Sequence, residues 1–457
     1  MIITEDNNYT GESISEKEKT DLSLIADKTI ADIVKNWQFS DLLIYPESFS
    51  DNTWKDDVDE SSILSIDGDV LKTGNIVGFI GVRGEDGTTE LSIHSRFTNN
   101  EEDYFLHYML QRIMSINMFD WSHSFTDRDP VFDFLKFLFP AAIKEALSQG
   151  VYKEYVKRSY NDPYVHGAID IASFIKKDIP FNGRIASTAR EHNYDNSMTE
   201  LIRHAIEVIR QDPIGRGVLS GNKETVELVR LIESVTPSYN KNERGKVLAQ
   251  NLRTKIQPYF TKYRQLQRLC IQILRHEGLK YTSSEDKKKV YGILFDCAWL
   301  WEEYLNSIFR DRNINVIHPE NKAKSKGIQL FTDNSGYPRY PDFYMKDEFL
   351  VMDAKYKRMR KESGDSEHNS IERNDMHQMI SYMYCLRSQK GVFLFPNEKT
   401  TELKRVGTLD GYGGEVSTCS LKIPGVSAGC KYRDFETEIR IEEKQFVDNI
   451  LGKVSVL

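Results

Sequence analysis

The run "YPDFYMKDEFLVMDAKYK", residues 340–357, constrains this 457-residue chain more than any other stretch. Phe349 to Met352 is an apolar segment of strand length, followed at once by Asp353, Ala354 and Lys355. Residues two apart on an extended strand share a side, so Asp353 and Lys355 face one way and Ala354 the other. A buried strand has little reason to end in two charges unless they line a cleft. Asp342, behind Pro341, opens the preceding strand, and residues 345–348 are a plausible turn. Pairing the two strands brings Asp342 beside Asp353. The bland alternative is a hairpin with charged ends.

Two carboxylates converging at a sheet edge suit Mg²⁺, which takes one or two carboxylates and otherwise keeps waters and phosphate oxygens. A nearby Lys can orient an attacking water or stabilise a developing oxyanion. This is chemistry for phosphodiester hydrolysis. A third acidic ligand is expected from the preceding helix, where "LWEEYLNSIF" offers Glu302 and Glu303. Trp301, Tyr304 and Leu305 read as core-facing, which favours Glu302 without closing the choice. Downstream, Gln378 and Tyr382 stand at i and i+4 on one helix face, placed to bind a DNA backbone or to buttress Lys355.

The charge around this run points to a polyanion. Residues 321–361 carry ten Lys and Arg against five Asp and Glu, in a chain of net charge −8. The basic set includes Lys357 and Arg358, which follow Lys355 and are candidates for DNA binding or active-site support. A local excess of five positive charges serves phosphate attraction, whereas the net charge excludes a uniformly basic binding surface.

The chain reads as a multidomain α/β protein in three parts. Residues 1–120 form a β-containing module, with a short helix expected around 22–37 and a hairpin over 75–97 closed by Asp86–Gly87. Residues 121–279 are mainly helical, with an insertion of strand-like pieces and Gly/Pro punctuation at 164–196. Residues 280–457 give helix (292–310), strands at 315–319, 340–345 and 348–357, helix (371–387) and strand (391–396), an α/β sandwich, then a strand-like piece and a charged tail. Five well-separated cysteines form no CxxC pair, which fits a reducing cytoplasm. The polar, acidic N-terminus is no signal peptide, and no apolar run reaches the roughly 18 residues of a membrane span. Zinc-peptidase, serine-hydrolase and dinucleotide fingerprints do not occur, and His166, His192 and His204 read as packing or surface residues.

On these residues the chain resembles a known family. "YPDFYMKDEFLVMDAKYKRM" with "DMHQMISYMY" looks like the PD-(D/E)xK nuclease core, and more narrowly like McrC, the nuclease subunit of McrBC-type and LlaJI-type restriction systems. "WEEY", "GAIDI", "GRIASTAREHNYDNSMTELIRHAI" and "NIVGFIGVRGEDGTTELSIHSRF" resemble further family motifs, so the likeness touches most of residues 70–400. One departure is Ser95–Arg96, where many members carry Pro-Lys.

The resemblance implies catalytic and metal-binding roles for Asp342, Asp353 and Glu302, a catalytic Lys355, and a supporting pair in Gln378 and Tyr382. It implies Mg²⁺, with Mn²⁺ able to substitute, double-stranded DNA as substrate, and a McrB-like AAA+ GTPase, expected as a hexameric ring, as partner. GTP would act only through that partner, since "ERGKVL" lacks the first Gly and the hydroxyl residue of a phosphate-binding loop. The expected function is a DNA endonuclease subunit of a GTP-dependent anti-phage complex. Alternatives are a nuclease acting alone or an activator of the ring with little cleavage of its own. The candidates for reaching the ring are the hairpin at 76–97 and "GRIASTARE", with Arg184 and Arg190 as the charges to test.

Overall fold

The computed structural model describes residues 2–35, 39, 42–45, 62–84, 87–97, 103–114, 130–211, 213–252, 258–279, 289–319, 327–333, 337–358, 371–411, 413–425 and 432–452. The turn residue Asp86 and five of the ten basic residues counted above (Lys322, Lys324, Lys326, Arg360 and Lys361) lie outside them. Residues 1–115 and 286–457 form one compact unit and residues 116–285 a second.

The first unit holds two five-stranded sheets. In one, the antiparallel hairpin Ile76–Gly84 and Gly87–His94 is central. Ile2–Glu5 lies parallel to its second strand, and Lys289–Asp296 lies antiparallel to its first. Leu42–Tyr45 completes the sheet beside Lys289–Asp296. A small three-stranded sheet of Glu12–Ser13, Val70–Thr73 and Leu64–Asp67 shares its core, in which Leu22, Ile25, Leu71, Ile80, Leu91 and Leu294 are fully buried. Two expectations change here. Of the helix expected over 22–37, Leu22 ends a separate helix, Glu16–Leu22, and a second covers Ile30–Lys35, with Asp27 turning the chain between them at φ +58°; residues 36–37 lie outside the described residues. The helix expected over 292–310 begins only at Cys297. Its first residues are strand because Gly292, at φ +149°, lies so close to the neighbouring strand that a Cβ would run into the Phe79 carbonyl oxygen.

Asp296 ends that strand and caps the helix Cys297–Asp311, its carboxylate accepting from Trp299 N–H at 2.9 Å. The helix buries Leu300, Trp301, Tyr304, Leu305 and Ile308, a 3.6-residue stripe.

The second five-stranded sheet runs in the order Phe343–Met345, Leu350–Ala354, Lys390–Asn397, Glu415–Lys422, Glu402–Thr408. The first two strands are antiparallel, the next two pairings parallel and the last antiparallel. Helix Arg373–Leu386 makes the crossover between the parallel strands Leu350–Ala354 and Lys390–Asn397 and seals one face through Val351, Met379, Tyr382, Met383, Phe393 and Phe395. Helices Cys297–Asp311 and Tyr432–Leu451 also pack on this sheet. The segment at 315–319 makes only an isolated bridge, Ile317 to Tyr344, rather than a strand.

The second unit is a helical frame of Pro130–Leu147, Ser197–Gln211, Pro213–Ser220, Lys223–Val235, Arg244–Asn251 and Tyr263–Leu279. The insertion expected at 164–196 supplies the strands Ile185–Asn193 and Ala168–Ile169 and the short helix Ile171–Lys177, and the strand Glu154–Asp162, which precedes the expected range, completes a three-stranded antiparallel sheet with them. His204 is buried against the Tyr239 ring in the frame, while His166 and His192 stack on Tyr160 and Tyr155 of the inserted sheet.

Candidate active site

Pairing of Phe343 with Met352 sets Asp342 beside Asp353 at the end of the hairpin. Both carboxylates are buried, and Asp342 Oδ2 accepts the Ala354 N–H at 2.7 Å. Asp353 shares a sheet face with Val351 and Phe393, the face covered by helix Arg373–Leu386. Lys355 follows the strand and turns its Nζ back onto Asp353 Oδ2 at 2.8 Å. That oxygen is buried, so its ion pair with the lysine is shielded from water.

From Lys355 a chain of hydrogen bonds runs through the helix. Its Nζ donates to Gln378 Oε1 at 3.2 Å, Gln378 Nε2 donates to the Tyr382 hydroxyl at 2.6 Å, and that hydroxyl donates to the Tyr340 carbonyl at 2.9 Å. Tyr340 stands two residues before Asp342, so the i, i+4 pair ties the lysine to the strand that carries the first carboxylate.

Burial pushes the Asp342 carboxyl up to about 7, reinforced by the negative charge of Glu302 and opposed by Lys355 and the Ala354 N–H. Burial also lifts Asp353 to about 7, with the Asp342 charge adding and Lys355 subtracting. For Lys355, burial works against the charge, but Asp353, Asp375 and Asp342 outweigh it and raise its pKa well above the ordinary range. Two carboxylates this costly to ionise form a place where added positive charge is favourable.

Two residues of the cluster, Asp375 and His318, were not singled out in the sequence. Asp375 sits 3.4 Å from Lys355 Nζ through one oxygen and pairs with Lys357 through the other. His318 stacks on Phe343, donates from Nδ1 to the Asp342 carbonyl at 2.7 Å, and places Nε2 3.4 Å from Glu303. Burial opposes a charge on His318, but the Glu303 carboxylate and the Asp342 carbonyl prevail and raise it to about 9. Glu303 is thus engaged with the imidazole. Glu302, its neighbour, acts electrostatically on both Asp342 and His318. Asp375 was legible as one helical turn before Gln378, whereas His318 carried no local signal.

Lys357 lies between Asp375 and Glu372, 3.0 Å from the latter. Arg358 does not join the cluster; it pairs with Glu398 at 2.9 Å and lies over the Phe97 ring. Arg190 belongs to the inserted sheet of the other unit and Arg184 immediately precedes its strand Ile185–Asn193, and both are exposed. Arg190 stands directly opposite Lys157 across the strand pair.

The donor set suits a divalent cation bound by hard oxygens. Asp342 and Asp353 converge, and one Asp353 oxygen is left without a hydrogen bond. Among the described residues no group of three His, Cys, Asp or Glu side chains closes on one point. An open two-carboxylate site of this kind fits Mg²⁺ better than a structural zinc cage.

Comparison with known proteins gives three findings. The family profile described as "McrBC 5-methylcytosine restriction system component" matches residues 71–396, more than half of the chain. No curated protein matches it. Among solved structures, the chain is similar to one from a refined half-complex of a tetradecameric assembly of Thermococcus gammatolerans McrB AAA+ hexamers with bound McrC. That match has 15% identity and a TM-score of 0.49, covering 99% of this chain and 100% of the other. A chain in the cryo-EM structure of the Thermococcus gammatolerans McrBC complex matches at 15% identity and a TM-score of 0.34, over 69% of this chain and 89% of that one. By the profile match, the chain belongs to the family of McrBC 5-methylcytosine restriction system components.

Proposed function

We propose that this chain is the Mg²⁺-dependent DNA endonuclease subunit of a GTP-dependent restriction complex, with the nuclease site at Asp342, Asp353 and Lys355. The observation that carries the reading is the convergence of two buried, mutually repelling carboxylates and a lysine at one end of a mixed sheet. Helix, antiparallel hairpin, crossover helix and parallel strand follow each other in the order of the PD-(D/E)xK core.

In this reading Asp342 and Asp353 hold the cation, and Glu302 adds negative charge beside them. The bound ion supplies charge neutralisation at the scissile phosphate and a lowered pKa for water. Lys355 remains protonated between Asp375 and Gln378, aimed at the same end of the sheet, where it orients the attacking water or stabilises the phosphorane-like oxyanion. Gln378 and Tyr382 fix the lysine against the strand bearing Asp342. Lys357 offers a further positive charge to the DNA backbone. Mn²⁺ would substitute for Mg²⁺ at such an oxygen site.

The partner in this reading is a McrB-like AAA+ GTPase ring. Its support is the inserted sheet of the second unit. That element exposes Tyr155, Tyr164, Ile171, Ile175 and Phe181, an unusual amount of apolar surface, alongside Arg184 and Arg190. Family membership supports the same assignment.

The test is plasmid cleavage in Mg²⁺ by the chain alone, with a McrB-like GTPase of the same organism, and with that GTPase plus GTP. Cleavage that needs both partner and GTP supports the proposal. Cleavage by the chain alone would replace it with an independent nuclease. No cleavage in any condition, with GTP hydrolysis stimulated, would replace it with an activator role.

A further inference from the structure

Lys355 lies one residue beyond its strand, and its backbone N–H donates to the Leu394 carbonyl at 2.9 Å, an oxygen shared with Trp301 Nε1 at 3.2 Å. What fixes the chain immediately after it is Tyr356. This residue is 6% exposed, and none of its contacts named here is to a catalytic group. Its hydroxyl lies 2.7 Å from Ser95 Oγ, the Phe97 ring meets it edge-on at 5.1 Å, and the Arg96 guanidinium sits 5.1 Å above it.

The segment Ser95–Phe97, just past the Gly87–His94 strand, is itself pinned from several sides. Ser95 N–H donates to Asp103 at 2.6 Å. Arg96 donates from its backbone N–H and from Nε to the two oxygens of Asp6, each at 2.7 Å. Its guanidinium also reaches Asn75 Oδ1, and the Asn75 carbonyl accepts the N–H of Cys297, the first residue of the helix bearing Glu302. A polar knot in the N-terminal sheet therefore touches both the exit of the lysine strand and the start of the glutamate helix. Buried polar knots of this kind hold one geometry when every member is satisfied.

We propose that the Ser95–Tyr356 hydrogen bond is a positioning latch for Lys355, by which the N-terminal sheet sets the rate of DNA cleavage. The inference rests on the nuclease reading above. A lysine ammonium on a four-carbon stem is placed only as well as its backbone, and displacement of a catalytic group by about 1 Å costs on the order of 100-fold in rate.

The experiment measures cleavage by wild type, Tyr356→Phe, Ser95→Ala, the double variant and Lys355→Ala, under the conditions in which wild type cuts. Each single variant is expected to lower kcat about 5- to 30-fold. KM for DNA and the Mg²⁺ half-saturation point stay at wild-type values, and the melting temperature falls by no more than a few degrees. The double variant should be no worse than either single one, because both remove the same bond. Equal kcat in wild type and Tyr356→Phe, with Lys355→Ala inactive, overturns the latch and leaves the nuclease intact. A loss that adds in the double variant, or a fall in melting temperature large enough to unfold the variants at the assay temperature, also overturns it by making the pair ordinary packing. A wild type that never cuts overturns the nuclease reading and this inference with it.

Discussion

Replacing Asp353 by Asn should stabilise the metal-free protein at pH 8 while abolishing cleavage. The side chain is buried beside Asp342, and its pKa rises from 3.8 to about 7. The sign follows from proton binding. Between those two values the folded state holds a proton that the unfolded state has released, so stability falls as pH rises through the window. At about 1.36 kcal/mol per unit, the carboxylate costs the folded state about 4 kcal/mol at pH 8 and under about 2 kcal/mol at pH 5. Asn carries no such cost, and the pull of Lys355 on the carboxylate is already contained in the net shift. Allowing for a poorer fit of the amide, the variant should gain about 2–4 kcal/mol at pH 8 and about half of that at pH 5. The assay is thermal unfolding in EDTA at the two pH values, repeated with Mg²⁺, which should raise the melting temperature of wild type much more than that of the variant. A variant less stable than wild type at pH 8, or a gain that does not shrink at pH 5, would refute the electrostatic account.

Other expectations follow from single contacts. Asp375→Asn removes the carboxylate between Lys355 and Lys357; single-turnover cleavage should slow about 10-fold while DNA affinity, read by mobility shift, holds or rises. Gly292→Ala places a Cβ against the Phe79 carbonyl at a left-handed backbone position. It should cost about 3 kcal/mol or more, read as a lower melting temperature or loss of soluble protein. Arg190→Glu, on the exposed inserted sheet, should weaken stimulation of the partner's GTP hydrolysis by about 10-fold and leave the melting temperature unchanged.

The hairpin geometry was legible because strand alternation is a local rule. The apolar run and the offset of two between Asp353 and Lys355 predict the face they share, and the turn at 345–348 predicts the pairing with Asp342. The i, i+4 spacing of Gln378 and Tyr382 was legible for the same reason. The Lys289–Asp296 strand was not, since "GILFDCAWLW" is apolar on both sides of Asp296 and periodicity cannot divide it between strand and helix. Glu402–Thr408 escaped because an exposed, charged edge strand has the composition of a loop. Contacts such as His318 with Asp342, or Ser95 with Tyr356 across 261 residues of sequence, depend on how elements pack and leave no local trace.

The most direct test of the central claim is cleavage of a plasmid in Mg²⁺, with partner and GTP present, by wild type and by Lys355→Ala at equal DNA occupancy. Wild type should cut and the variant should lose at least about 100-fold in rate, with DNA binding and GTPase stimulation retained. Equal cutting by both proteins would contradict that claim, because Lys355 would then have no part in the chemistry.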